Sequence, residues 1–142
     1  MAEKIKQING KDFIFCPWRQ KYVRLTPEEW VRQHFLQWLV SELHYPMSRI
    51  AVEHPIKVAD VNKRCDAVVL NSYLEPLCII EFKADSISLT QRVFDQVAVY
   101  NRRLNVPYFI LSNGRTTYFC RVTPEGYEYQ SQIPNYEQLW RE

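Results

Sequence analysis

Three residues near the middle of the chain carry chemistry through their type and spacing. Asp66 opens the apolar run Asp66-Ala67-Val68-Val69-Leu70, and Glu81 and Lys83 close the run Leu77-Cys78-Ile79-Ile80-Glu81-Phe82-Lys83. Side chains alternate along a strand, so Glu81 and Lys83 face the same way. A turn over residues 71–76 joins the two runs, and positions 66 and 81 are nearly symmetric about it. A hairpin would therefore bring Asp66 beside Glu81. Charges at the end of so apolar a strand are costly unless something holds them. Two adjacent carboxylates repel each other, and a divalent cation relieves the repulsion. Carboxylate oxygens with water suit Mg²⁺ or Mn²⁺. A neighbouring lysine can orient a water and steady charge developing on a phosphate. That is an inventory for metal-assisted phosphodiester hydrolysis. The same charges can also close an edge network of ion pairs among Arg64, Asp66, Glu81 and Lys83. Spacing alone leaves both readings open.

The elements that must position these residues are legible to different degrees. Thr26-Pro27-Glu28-Glu29 begins a helix, with Thr at the N-cap, Pro at the first turn and Glu29 at the capping-box position. Apolar residues at 31, 35, 38, 39 and 43 continue it, and it should stop before Pro46. Strands are expected over 50–58, 64–70 and 77–83. The continuous apolar run in the last of these implies a central strand covered on both faces. Residues 88–104 return to helical period, with Val93, Val97, Tyr100 and Leu104 on one stripe. A strand over 107–111, the hairpin turn Ser112-Asn113-Gly114 and a partner strand over 116–122 follow. Residues 12–25 predict a short hairpin or irregular strand pair, and the segment from Pro124 onward a surface tail. The order predicts an α/β fold with a central mixed β-sheet flanked by helices.

Composition bounds the rest. A chain of 142 residues fits one domain, 1–142, and its hydrophobic and charged fractions of 46% and 24% exclude wholesale disorder. No apolar run is long enough for a membrane span, and the first ten residues contain no export signal, so no membrane partner is expected and the cytoplasm is the expected location. The four cysteines, at 16, 65, 78 and 120, have no C-x-x-C spacing. Buried reduced thiols are expected rather than structural zinc. A net charge of +2 neither requires nor excludes a nucleic-acid partner. The aromatic fraction of 14% predicts burial in the core, with base stacking as the other use. His34, His44 and His54 have no ligand spacing and read as structural or surface residues. Glu53 could line a cleft or pair with Arg64 or Lys63. Arg92, Arg102, Arg103 and Arg115 could form a basic rim or lie on a solvated face.

Asp66, the gap over 67–80 and Glu81-Phe82-Lys83 resemble the PD-(D/E)XK nuclease superfamily. Thr26–Arg32 on the first helix, Arg64-Cys65-Asp66, Ile80–Ala84, Asp95-Gln96 with Tyr100-Asn101, and Ser112-Asn113-Gly114 are together similar to the N-terminal nuclease domain of type I restriction enzyme restriction subunits. The resemblance spans about residues 12–122. It implies a restriction-endonuclease-like core and a Mg²⁺- or Mn²⁺-dependent deoxyribonuclease. Asp66 and Glu81 would be metal ligands and Lys83 the catalytic lysine. An acid on the first helix would complete the catalytic set. Glu29 is the choice and Glu28 the alternative, although capping also accounts for Glu29. Gln96 and Tyr100 match a glutamine–tyrosine motif that contacts substrate. They stand four apart on one helix and so share a face, yet an ordinary amphipathic helix with Tyr100 in the core also fits.

The resemblance implies DNA as substrate, restriction-modification partner subunits and, from the habits of the fold, a homodimer. Two departures stand out. Cys65 occupies the usual proline position before Asp66. No G-x-x-x-x-G-K-[ST] loop exists, so DNA translocation is not expected of this chain, which reads as a free-standing relative. The alternative function is a non-cleaving DNA-binding or accessory module with a nuclease fold. A third is an α/β structural protein whose charges form surface pairs.

Overall fold

The computed structural model describes residues 4–141, and of Tyr100 only the backbone. These residues form nine strands and three α-helices: β1 (Ile5–Ile8), β2 (Lys11–Cys16), β3 (Lys21–Arg24), α1 (Pro27–Leu43), β4 (Ile50–Val58), β5 (Val61–Leu70), β6 (Pro76–Phe82), α2 (Gln91–Arg103), β7 (Tyr108–Ser112), β8 (Thr117–Thr123), β9 (Gly126–Gln130) and α3 (Tyr136–Arg141). Strands β4 to β9 form one sheet in sequence order. All its neighbours are antiparallel except β6 and β7, which run parallel with α2 as their crossover. The expected α/β architecture with a mixed sheet is what forms.

Helix α1 begins where its sequence signals place it. The Thr26 hydroxyl accepts the Glu29 N–H at 3.0 Å. Val31, Phe35, Leu36 and Leu39 pack on one sheet face against Ala67, Val69, Cys78, Ile80 and Phe82. On the other face, Phe94 and Ala98 of α2 meet Val68, Ile79, Phe109, Leu111 and Cys120. The central position of β6 explains its unbroken apolar run, because every residue from Leu77 to Phe82 is buried. Helix α2 starts at Gln91 rather than 88, since Thr90 is its cap and accepts the Val93 N–H. All four thiols are buried and free, and no helix among the described residues is long and apolar enough to cross a membrane.

Two segments hold more structure than expected. Residues 5–24 make a three-stranded meander, of which β2 and β3 are the expected hairpin and β1 an added strand. The tail after Pro124 adds β9 at the sheet edge and then α3, whose Leu139 is fully buried in the α1 face. Tyr127-Glu128-Tyr129-Gln130 carries the alternation of a half-buried strand. Its two tyrosines pack on Phe94, and the Tyr127 hydroxyl donates to the Ala98 carbonyl of α2.

Candidate active site

Register places three acids in one row across the sheet. Val52 pairs with Ala67 and His54 with Cys65, so Glu53 of β4 stands opposite Asp66 of β5. Ala67 pairs with Ile80, so Asp66 stands opposite Glu81 of β6. At this row the β4–β5 ladder skips one pair and the β5–β6 ladder ends. Glu53 takes a left-handed backbone conformation, with φ of 50°, which is strained for a residue with a side chain. Between β5 and β6 side chains replace the backbone partners. The Asp66 carboxylate accepts the Phe82 N–H at 2.8 Å, and the Glu81 carboxylate lies 3.4 Å from the Asp66 N–H. The two acids thus clasp the point where the strands part.

Burial pushes the Glu81 carboxyl up to about 7, and the adjacent Asp66 carboxyl pushes it the same way. Lys63 pulls in the opposite direction through an ion pair with Glu81 that only partly offsets them. Lys63, three residues before Asp66 on β5, was read from sequence as a candidate partner of Glu53 and not of Glu81. Its side chain is 23% exposed, so the ammonium can turn to solvent when another cation takes its place. Lys83 follows β6 by one residue. Its N–H donates to the Ser112 carbonyl at 3.0 Å, extending the β6–β7 pairing, and the two-residue period keeps it on the Glu81 side. Its side chain is half-buried, and among the described residues it makes no ion pair.

The raised Glu81 carboxyl has a measurable consequence. The folded state holds this proton more tightly than the unfolded chain, so the group's favourable contribution is complete below the unfolded carboxylate range and is lost as pH rises through about 7. Glu81→Gln is therefore expected to stabilise the protein at pH 8, by roughly 2 kcal/mol, and to leave it nearly unchanged at pH 4. Thermal unfolding at the two pH values checks this, and equal effects at both would contradict it.

Glu29 is only 4% exposed and lies in a nest of donors. Arg19 and Arg32 each bond it at 2.6 Å, and Gln33 donates to it at 2.9 Å. Burial alone would raise its carboxyl, but these partners outweigh that and hold it below the ordinary range. Its side chain therefore does not turn back to close the capping box. Arg32 also donates to the Asp66 carbonyl at 3.2 Å, which ties α1 to the acid row, and its Nε is buried without a partner. Glu53 pairs with Arg19 at 3.3 Å and with Arg64 at 3.5 Å. Arg19 and Arg32 were missed in the sequence: nothing local links the β2–β3 turn to Glu29, whereas Arg32 stands three residues after Glu29 on the same helix, a spacing that could have found it.

Glu28 and Gln96 make no hydrogen bond or ion pair with this cluster among the described residues. Glu28 is exposed in the first turn of α1. Gln96 is exposed on α2, and the Tyr100 side chain lies outside the described residues. Of the four arginines read as a basic rim, Arg102 bonds the Pro124 carbonyl and Arg103 pairs with Asp60.

Asp66 and Glu81 offer hard oxygen donors on paired strands, with mutual repulsion that a divalent cation would relieve. Among the described residues no group of three or more His, Cys, Asp or Glu could enclose a metal ion. A two-carboxylate site suits Mg²⁺, which keeps several waters and shares its coordination with substrate phosphate.

Comparison with known proteins bears on the family and the fold. Residues 27–134 match the family described as Type I restriction enzyme R protein N terminus (HSDR_N). A solved DUF820 protein from Anabaena variabilis ATCC 29413, described as a candidate nuclease, shares the fold with a TM-score of 0.50 at 12% identity. The alignment covers 94% of this chain and 88% of that one. No curated protein matches the chain. The core is restriction-endonuclease-like.

Proposed function

Because this chain belongs to the type I restriction enzyme R protein N-terminal family, we propose that it is a nuclease that hydrolyses DNA phosphodiesters with the help of Mg²⁺ or Mn²⁺. The observation that carries the reading is the clasp of Asp66 and Glu81 at the parting of β5 and β6, with Lys83 one step beyond. When bound there, a divalent cation supplies charge neutralisation and water activation. Asp66 and Glu81 would hold it, and Lys63 would give up its pairing with Glu81. The Lys83 ammonium orients the attacking water and donates to the phosphoryl oxygens as charge develops on them. Glu29 is a positioning residue. It fixes Arg32, which in turn fixes the Asp66 backbone. Gln96 and Tyr100 of α2 contact the DNA beside the scissile bond. Restriction-modification subunits and a second copy of this chain are the proposed partners, in the cytoplasm.

A second reading, a non-cleaving DNA-binding module of the same fold, draws support from the Lys63–Glu81 ion pair, which gives the buried carboxylate a cationic partner without a metal. One assay separates the two. The purified protein with Mg²⁺ or Mn²⁺ is expected to nick or cut DNA, and chelation is expected to stop it. DNA binding that ignores the metal, with no cutting of any DNA form, would favour the module.

A further inference from the structure

A cleft of about 450 Å³ lies between α1 and the β7–β8 turn. Trp30, His34 and Trp38 line one wall, Phe35 the floor, and Asp85 and Arg115 other parts of the lining. The wall follows from helical spacing, because 30, 34 and 38 are successive i, i+4 positions on one stripe, each about 6 Å further along the axis. Phe35 is core, packed edge-on against Phe82. The two tryptophans are not core: they are 41% and 42% exposed. The His34 ring lies 4.0 Å from that of Trp30, tilted by 38°, so the two rings partly stack on each other within the wall.

We propose that this cleft binds an unpaired nucleobase of a nucleic-acid strand, stacked on the Trp30–His34–Trp38 wall, with Arg115 on its phosphate. The volume is in the range of small-ligand sites. Exposed aromatic faces beside an arginine are the groups that bind single strands, since every base has a face to stack and every nucleotide a phosphate. A duplex cannot use the wall, because its base faces are covered by their neighbours along the stack. Asp85 is the one acid in the lining. It repels phosphate but can accept from a base amino group, so the base belongs on its side and the phosphate on that of Arg115.

Along the chain, the residues lining the cleft flank those of the proposed catalytic site. Asp85 lies two residues past Lys83, the turn bearing Arg115 follows Ser112, and Trp30 follows Glu29. The place of the unpaired base next to the cut phosphate rests on the nuclease reading. The stacking itself does not.

Tryptophan fluorescence is followed as a twelve-nucleotide single strand, or a blunt duplex of the same sequence, is titrated without metal. Quenching is expected with the single strand, at an affinity about tenfold or more above the duplex. The pair Trp30→Ala and Trp38→Ala should weaken single-strand binding, followed by a labelled strand, by about 5- to 150-fold per stacked base. Arg115→Ala should weaken it and flatten its salt dependence. Both changes are at exposed positions, and thermal unfolding verifies the fold. Asp66→Asn should keep the quenching. Quenching in a protein that never cuts DNA would sink the nuclease reading and leave the cleft's role standing. Equal affinity for duplex and single strand, no binding of either, or unchanged binding in the double tryptophan variant would overturn the proposal.

Discussion

Asp66→Asn and Lys83→Ala are each expected to lower metal-dependent DNA cleavage by about 10²–10³-fold, while thermal unfolding stays close to the wild type. The size follows from what each removes. Asp66→Asn deletes one charge of the carboxylate pair but keeps an oxygen that can accept the Phe82 N–H. The clasp between β5 and β6 survives, and the hold on a divalent cation does not. Lys83→Ala deletes an ammonium that makes no ion pair among the described residues, so little folded structure depends on it. Activity and stability should therefore separate. If cleavage survives both substitutions, these residues do not form the catalytic centre. If each substitution instead unfolds the protein, the row is a structural ion network, as the edge-pair alternative holds.

The second large effect is on stability. Arg32→Leu is expected to cost about 3–5 kcal/mol at neutral pH, which lowers the unfolding temperature by roughly 10–20 °C. Glu29 is almost wholly buried and is compensated by Arg19, Gln33 and Arg32, so removing Arg32 leaves a buried charge short of a partner. The same substitution frees the Asp66 carbonyl and unties α1 from β5. The pH dependence has a definite sign. The Glu29 carboxyl sits below its ordinary value, so its contribution is present above the unfolded carboxylate range and is lost as pH falls through its folded value. The gap between wild type and Arg32→Leu should narrow in acid. Denaturant unfolding at pH 7 and in acid measures it, and a loss under about 1 kcal/mol at pH 7 would show that the nest is not structural.

The framework of this fold was legible where local signals are strong. Thr26 caps α1 as its sequence indicates, the apolar run of β6 is buried on both faces, and Ser112-Asn113-Gly114 turns β7 into β8. Symmetry about residues 71–76 placed Asp66 opposite Glu81, which the Ala67–Ile80 pairing reproduces. What could not be read was long-range charge pairing. The partners of Glu29 include Arg19, in the β2–β3 turn of a separate small sheet, and the partner of Glu81 is Lys63 rather than the Lys83 or Arg64 of the edge-network reading. Such pairings depend on where the twist and bend of whole elements bring side-chain ends, and no periodicity encodes that. The αL bend at Glu53 is similar, since glutamate carries no signature for it. The strand β9 was readable in the Tyr127–Gln130 alternation, and it was obscured only because Pro124 and Gly126 mark a turn that resembles the end of a domain.

Crystals grown with Mn²⁺ and measured at its absorption edge test most directly whether the two carboxylates hold a cation. An anomalous peak within bonding distance of both Asp66 and Glu81, with the Lys63 ammonium displaced from Glu81, is the predicted result. No peak there at millimolar Mn²⁺, with Lys63 still seated on Glu81, would contradict the account.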